Sequence, residues 1–169
     1  PVFFKQQRVG FLGKEFICWK FRTMKAASDS ALHEVHVCNL YNNDQPLIKL
    51  DKNDLRIIPF GRMLRKTGLD ELPQLINVLR GEMSLIGPRP DVPYAVCHYL
   101  PWQKKRIETY PGLTGLWQVN GKNLTTFNGM MRLDISYVKQ RSFWLDSKIL
   151  IKTLPAIIHQ VYEKSVPQG

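Results

Sequence analysis

Hydrophobic and polar positions alternate at the start of the chain and then turn helical. Val2-Phe3-Phe4-Lys5-Gln6-Gln7-Arg8-Val9 reads as a strand, punctuated by Gly10 and Gly13. From Ile17 to Arg22 apolar and polar residues alternate again, so a β-hairpin with a four-to-five-residue turn is expected. Residues 26–55 are mixed and acidic, and read as a helix-plus-loop excursion. Phe60 to Lys66 predicts a short helix with Arg62, Arg65 and Lys66 on one side, ended by Gly68. Leu72, Leu75, Ile76 and Leu79 then recur at helical spacing as one apolar stripe. Pro73 belongs in the first turn of that helix, where its missing N–H costs nothing, and Gly81 suits its C-terminal cap. The helix is therefore expected to begin near Asp70-Glu71.

Gly87-Pro88-Arg89-Pro90 predicts a rigid, extended loop. Residues 101–110 read as a basic amphipathic helix opened by Pro101 and stopped by Pro111-Gly112. Residues 111–125 read as a Gly/Asn-rich loop around Leu116-Trp117-Gln118-Val119. Helices are expected over 126–139 and over 145–162, the latter interrupted at Pro155. The fold class is α+β: a mostly helical single domain over 1–169 with a small N-terminal β-hairpin. No repeat or low-complexity linker divides it.

Charge sharpens this picture. Lys and Arg total 24 against 14 Asp and Glu, a net charge of +10. Such an excess attracts polyanions, whether nucleic acid, anionic lipid headgroups or phosphorylated substrates. Three cysteines in no Cys-x-x-Cys spacing argue against a zinc site or a disulfide framework and fit a reducing cytoplasm. No apolar run is long enough to span a bilayer, and no signal peptide is visible. The chain starts at Pro1 rather than Met, which reads as part of a longer chain. Pro101-Trp102-Gln103-Lys104-Lys105-Arg106 combines Trp with basic residues, as a bilayer-interface helix does; a solvated basic helix has the same composition.

Asp70-Glu71 is the pair best suited to chemistry. Adjacent helical residues diverge by about 100°, so these carboxylates would take separate tasks, one attacking and one moving a proton. A helix N-terminus favours phosphate. Arg62, Arg65, Lys66 and Arg89 can offset its charge, as can a Mg²⁺ ion on a carboxylate. The same position suits simple helix capping. His33, Glu34 and His36 do not form His-Glu-x-x-His, and no Walker loop or Gly-x-Ser-x-Gly elbow occurs.

The stretch Leu64-Arg65-Lys66-Thr67-Gly68-Leu69-Asp70-Glu71-Leu72-Pro73-Gln74-Leu75-Ile76-Asn77, continuing to Ile86-Gly87-Pro88-Arg89-Pro90, resembles the signature of the bacterial sugar transferases. These are the monotopic phosphoglycosyl transferases that start polysaccharide and glycoconjugate assembly. Pro1 to Gly10, Lys20-Phe21-Arg22-Thr23-Met24, Pro111 to Gly115, Gln118 to Asn123 and Phe143-Trp144-Leu145-Asp146-Ser147-Lys148-Ile149 resemble further motifs of that family, in order. Only residues 26–50 fall outside the resemblance.

The resemblance implies a reaction and its residues. Asp70 would be the nucleophile that takes the phosphosugar from a UDP-sugar and releases UMP. Glu71 would be the acid/base partner in the second half-reaction. Mg²⁺ would bind at Asp70 and the diphosphate. Arg65, Arg89 and Lys122 match phosphate-binding basic positions, and Asp146 matches the C-terminal acid. The acceptor would be a polyprenyl phosphate, normally undecaprenyl phosphate, at the cytoplasmic face of the bacterial inner membrane. Lys122 stands where Arg is usual, which puts a bidentate phosphate contact in question. Gly68 replaces a common Ser, and Leu55 and Pro59 also depart from the pattern. Family members carry a re-entrant membrane helix before the first strand. A fragment without it is expected to keep weak membrane affinity through interfacial helices. The competing readings are a basic membrane-surface or nucleic-acid-binding module, or an inactive scaffold; the intact Asp70-Glu71 pair speaks against the last.

Overall fold

Strand β1 (Phe3–Val9) and strand β2 (Glu15–Phe21) pair antiparallel across a five-residue turn, as the alternation predicts. The computed structural model describes residues 1–25, 54–120 and 125–163. The helix-plus-loop expected over 26–55 therefore lies almost wholly outside the described residues. So does Lys122.

The register sets the hairpin's two faces. Phe4 faces Lys20, Gln6 faces Cys18 and Arg8 faces Phe16, so period-2 geometry puts these six side chains on one face. That face turns inward: Phe16 and Cys18 are buried with Met83, and Val78 packs on them. It also carries two cations, Arg8 and Lys20, into the interior.

Helix α1 (Pro59–Thr67) ends at Gly68, whose φ of 76° is left-handed and suits glycine. A 3-10 turn, Leu69–Glu71, follows, and helix α2 (Gln74–Leu79) begins only after Pro73. The sequence placed the helix start at Asp70-Glu71; the acids instead occupy the 3-10 turn. The apolar stripe is not the buried side of α2 either. Leu72, Leu75 and Ile76 are exposed and Leu79 is 89% exposed, whereas Gln74 and Asn77 are buried. Asn77 explains the inversion. Its Oδ1 accepts from the Trp19 amide at 3.2 Å, and its Nδ2 donates to the Ile17 carbonyl at 2.7 Å and to Glu82 Oε2 at 2.6 Å. A buried amide with its partners satisfied fastens α2 to β2 more specifically than a leucine stripe could.

Beyond Gly81, strand β3 (Ser84–Ile86) pairs in parallel with β4 (Gly112–Thr114). The sequence pattern over 111–125 predicts loop for the second strand. Gly112 permits it: a Cβ there would collide with the backbone of Gly87. Between these strands lie helix α3 (Pro93–Val96) and a 3-10 helix, Gln103–Glu108. The latter replaces the basic amphipathic helix expected there, and Gln103 and Arg106 point inward rather than to solvent or lipid. Arg106 turns in because a carboxylate, Asp134, is buried beside it.

Helix α4 (Leu116–Val119) leads to α5 (Phe127–Gln140), capped by the Thr126 hydroxyl, which accepts from the Gly129 amide. Helix α6 (Phe143–Glu163) starts two residues earlier than expected and runs through Pro155 without a break. The carbonyl that Pro155 leaves unbonded belongs to Ile151 on an exposed side of the helix. Tyr99, Trp117, Phe127, Met130 and Met131 form the largest buried cluster, and Ile86, Tyr137 and Ile149 a second. The architecture is α+β, as expected. Among the described residues, no helix is long and apolar enough to cross a membrane.

Candidate active site

The acidic turn stands where the hairpin, α1 and the Pro-Arg-Pro loop meet. The Glu71 and Leu72 amides are bonded back to the carbonyls of Gly68 and Leu69. With those N–H groups used, and α2 only six residues long, a helix terminus adds little to anion binding here. The positive charge comes from side chains.

Glu71 is gripped by two of them. Arg89 donates through both terminal nitrogens, Nη1 to Oε2 at 3.0 Å and Nη2 to Oε1. Lys20 Nζ donates to Oε1 at 3.1 Å. Such bidentate, charge-assisted contacts fix both the position and the orientation of a carboxylate. Asp70, next in the chain, also acts on Arg89 through its charge.

Lys20 and Arg89 thus share one carboxylate, with the charge of Arg8 acting on both cations. The cost of that surplus is visible in the site. Burial pushes the Lys20 ammonium below its ordinary pKa, Glu71 opposes the shift, and the charges of Arg89 and Arg8 add to it. Burial likewise lowers Arg8, with Asp91 opposing and Arg89 adding. Arg89 moves the other way, held firmly charged by Glu71 against its burial. Buried cations that repel one another are relieved by an incoming anion. A phosphate group meets that need.

Of the residues singled out from sequence, the structure brings Asp70, Glu71 and Arg89 together. Arg65 sits in the last turn of α1, half-buried, and its charge is among those acting on Asp54. Asp146 lies in the first turn of α6. It accepts from the Tyr137 hydroxyl at 2.9 Å, and the Ile86 carbonyl is 3.3 Å from the same hydroxyl. Tyr137 thus stands between Asp146 and the segment that enters the Pro-Arg-Pro loop.

Lys20 and Arg8 were not recognised as site residues. A signal for them exists: each is a basic residue on the strand face that also carries Phe16 and Cys18. Arg106 and Asp134 were missed as well. Arg106 Nε donates to Asp134 Oδ2 at 2.7 Å in the interior, and no local pattern announces a pair 28 residues apart. Among the described residues, no three His, Cys, Asp or Glu side chains converge as a metal cage.

A model of the family described as bacterial sugar transferase matches residues 1–160. Galactosyl transferase CpsE of Streptococcus agalactiae is 40% identical over 159 residues, covering 94% of this chain and 35% of that protein. Undecaprenyl-phosphate galactose phosphotransferase of Salmonella typhimurium is 42% identical over 167 residues, 95% of this chain and 34% of the relative. Exopolysaccharide production protein ExoY of Rhizobium meliloti is 41% identical over 158 residues, 92% of this chain and 70% of the relative. The chain spans about a third of the length of the first two relatives. With the family model matched over nearly all its length, the chain belongs to the bacterial sugar transferase family.

Proposed function

We propose that this chain carries the centre that transfers a sugar-1-phosphate from a UDP-sugar to a polyprenyl phosphate, releasing UMP. The observation that carries the reading is the Asp70-Glu71 turn set among Lys20, Arg89 and Arg8. The names of two relatives add support: an undecaprenyl-phosphate galactose phosphotransferase, and a UDP-glucose:undecaprenyl-phosphate glucose-1-phosphate transferase from Xanthomonas campestris, 38% identical over 168 residues.

In the first half-reaction an Asp70 carboxylate oxygen attacks the phosphorus that bears the sugar. The new O–P bond forms as the bond to the bridging oxygen breaks, and UMP leaves with that oxygen. In the second, the polyprenyl phosphate attacks the same phosphorus and the Asp70–phosphorus bond breaks. That regenerates the carboxylate and yields the polyprenyl diphosphate sugar. Glu71, held in place by two cations, is the acceptor for the proton of the polyprenyl phosphate. Arg89 and Lys20 offset phosphate charge on approach. Two-step transfer lets one soluble and one lipid substrate use a single site in turn.

A Mg²⁺ ion fits this donor set. Magnesium commonly takes one or two protein carboxylates and completes its shell with water and substrate phosphates, so it needs no cage of protein ligands. Asp70 would hold it, since Glu71 is committed to Lys20 and Arg89. When bound, the ion neutralises diphosphate charge.

The lipid acceptor calls for a membrane face, and the structure has candidates. Phe60 and Met63 on α1, Leu72, Leu75, Ile76 and Leu79 around α2, and Phe143, Trp144, Ile151 and Leu154 on α6 are exposed. Large exposed apolar groups beside a basic site suit the interfacial plane of a bilayer. The site thereby works at the membrane surface, on the cytoplasmic side where UDP-sugars are present.

The test is a UMP-release screen of the full-length, membrane-embedded protein against a panel of UDP-sugars. One sugar should release UMP to about one equivalent per site without acceptor and then turn over with it, as a ping-pong enzyme does. Full turnover by Asp70→Asn would remove the nucleophile assignment. Salt-dependent oligonucleotide binding with no UMP release would favour a nucleic-acid-binding module instead.

A further inference from the structure

The Pro88-Arg89-Pro90 loop cannot hold itself. Its two prolines have no N–H to give, and an extended loop makes no internal ladder. Four carbonyls in a row are instead bonded by donors from distant parts of the chain. The Gly112 amide donates to Pro88 O at 2.8 Å, Arg106 Nη2 to Arg89 O at 2.8 Å, Arg8 Nη1 to Pro90 O at 3.0 Å and the Val9 amide to Asp91 O at 2.9 Å. Two of these four donors are buried guanidinium groups.

Arg106 is 4% exposed, and its whole fork is in use. Nε donates to Asp134 Oδ2, and Nη1 donates to the Tyr99 hydroxyl at 2.6 Å and lies 3.4 Å from Asp91 Oδ2. Tyr99 in turn donates to Asp91 Oδ2 at 3.1 Å. Burial works against the Arg106 charge, but Tyr99, Asp134 and Asp91 together hold its pKa above the ordinary value. A buried ion pair is a poor device for stability alone, because apolar groups of similar volume serve as well or better. What an apolar group cannot do is hold the Arg89 carbonyl. Arg8 completes the grip from β1, steadied by Gln6 Oε1 at 2.6 Å, although its charge repels that of Arg89.

We infer that Arg106 and Arg8 are positioning residues that clamp the Pro88–Asp91 loop by its carbonyls and so set where the Arg89 guanidinium meets Glu71. The backbone of Arg89 is held from behind while its side chain grips the acidic turn in front. Asp134, Tyr99 and Asp91 orient the Arg106 fork. The effect on turnover rests on the proposed transfer at Asp70; the clamp itself does not.

The test is a double-mutant cycle in the full-length, membrane-embedded protein. Arg106→Lys keeps the charge and loses the fork. Displacement of a catalytic group by about 1 Å can cost roughly 100-fold, so kcat should fall about 10- to 100-fold, with KM for the UDP-sugar within about twofold. In an Arg89→Gln background the same change should cost kcat less than about twofold, because its route of action is gone. Its loss of Tm should be equal in both backgrounds. An equal fold-loss of kcat in both backgrounds would reduce Arg106 to a structural role and overturn the inference. Arg8→Gln repeats the cycle from the other carbonyl, with a smaller expected loss of about 3- to 10-fold, should Arg106→Lys not fold. If the wild type releases no UMP from any UDP-sugar, the transfer reading fails, and hydrogen exchange decides the clamp. Arg106→Lys should then speed exchange in residues 84–92 by at least about tenfold while leaving residues 15–21 unchanged. Unchanged exchange in 84–92, or equal acceleration in both segments, would count against it.

Discussion

Glu71 and Asp134 are both carboxylates held by arginine, on opposite sides of one loop. Asp134 is 1% exposed and meets Arg106 in the interior. Glu71 keeps 19% of its side chain open and meets Arg89 and Lys20 at the site's edge. The difference lies in what surrounds each pair. Around Asp134 the charges are enclosed, so moving either partner strands the other in a low-dielectric interior. Around Glu71 two cations share one carboxylate and one side is open, so the cluster can receive a further, anionic party. Similar contacts are fixed scaffolding in one place and a receptive site in the other.

The sharpest way to break this comparison is to neutralise each acid. Glu71→Gln should lower turnover by about 10²- to 10⁴-fold, measured as UMP release with acceptor present, and cost less unfolding free energy than Asp134→Ala, because this cluster keeps a side open to water. Asp134→Ala should act first on stability. Stranding Arg106 costs about 3–5 kcal/mol, read from urea unfolding of this protein. If Glu71→Gln proved the more destabilising, the contrast between site and scaffold would be wrong.

The two sides of α2 offer a milder contrast. Leu75→Ser with Leu79→Ser should change stability by less than about 0.5 kcal/mol per site, since both leucines are exposed. Binding to anionic liposomes should weaken by about tenfold or more, because each exposed leucine can bury a side chain in the interface. Asn77→Leu, on the buried side, should cost about 2–4 kcal/mol by leaving the Trp19 amide and Ile17 carbonyl unpaired.

The smallest expected effect is at Asp54. Hydrogen bonds from Arg56 hold its carboxyl down to about 2. A depressed carboxylate stabilises the fold above its ordinary value of 3.8, and that contribution is lost as pH falls through about 2. The Tm difference between wild type and Asp54→Asn should therefore be small at pH 7 and vanish below about pH 2. A difference that widened toward acid would reverse the sign.

These contrasts also show how far the sequence could be read. The hairpin was legible because alternation and paired glycines are local signals. The Gly68 stop was legible for the same reason. The start of α2 was not, because Pro73 and a leucine stripe look alike whether the preceding turn is 3-10 or α. Nor was the outward direction of that stripe, which Asn77 decides through contacts about 60 residues away in the chain. The acidic pair and Arg89 stood out by motif. Lys20 and Arg8 did not, because their role appears only once the register places them on the inner face. The Arg106–Asp134 pair was hidden inside what reads as a basic surface helix, and only tertiary contact turns that arginine inward.

The most direct measurement is the intact mass of the full-length protein after incubation with its UDP-sugar and no lipid acceptor, followed by fragmentation to locate any adduct. A sugar-phosphate should be found on Asp70, in step with UMP release, and should vanish when polyprenyl phosphate is added. An unmodified Asp70 in protein that still delivers sugar-phosphate to the lipid at full rate would contradict transfer through this carboxylate.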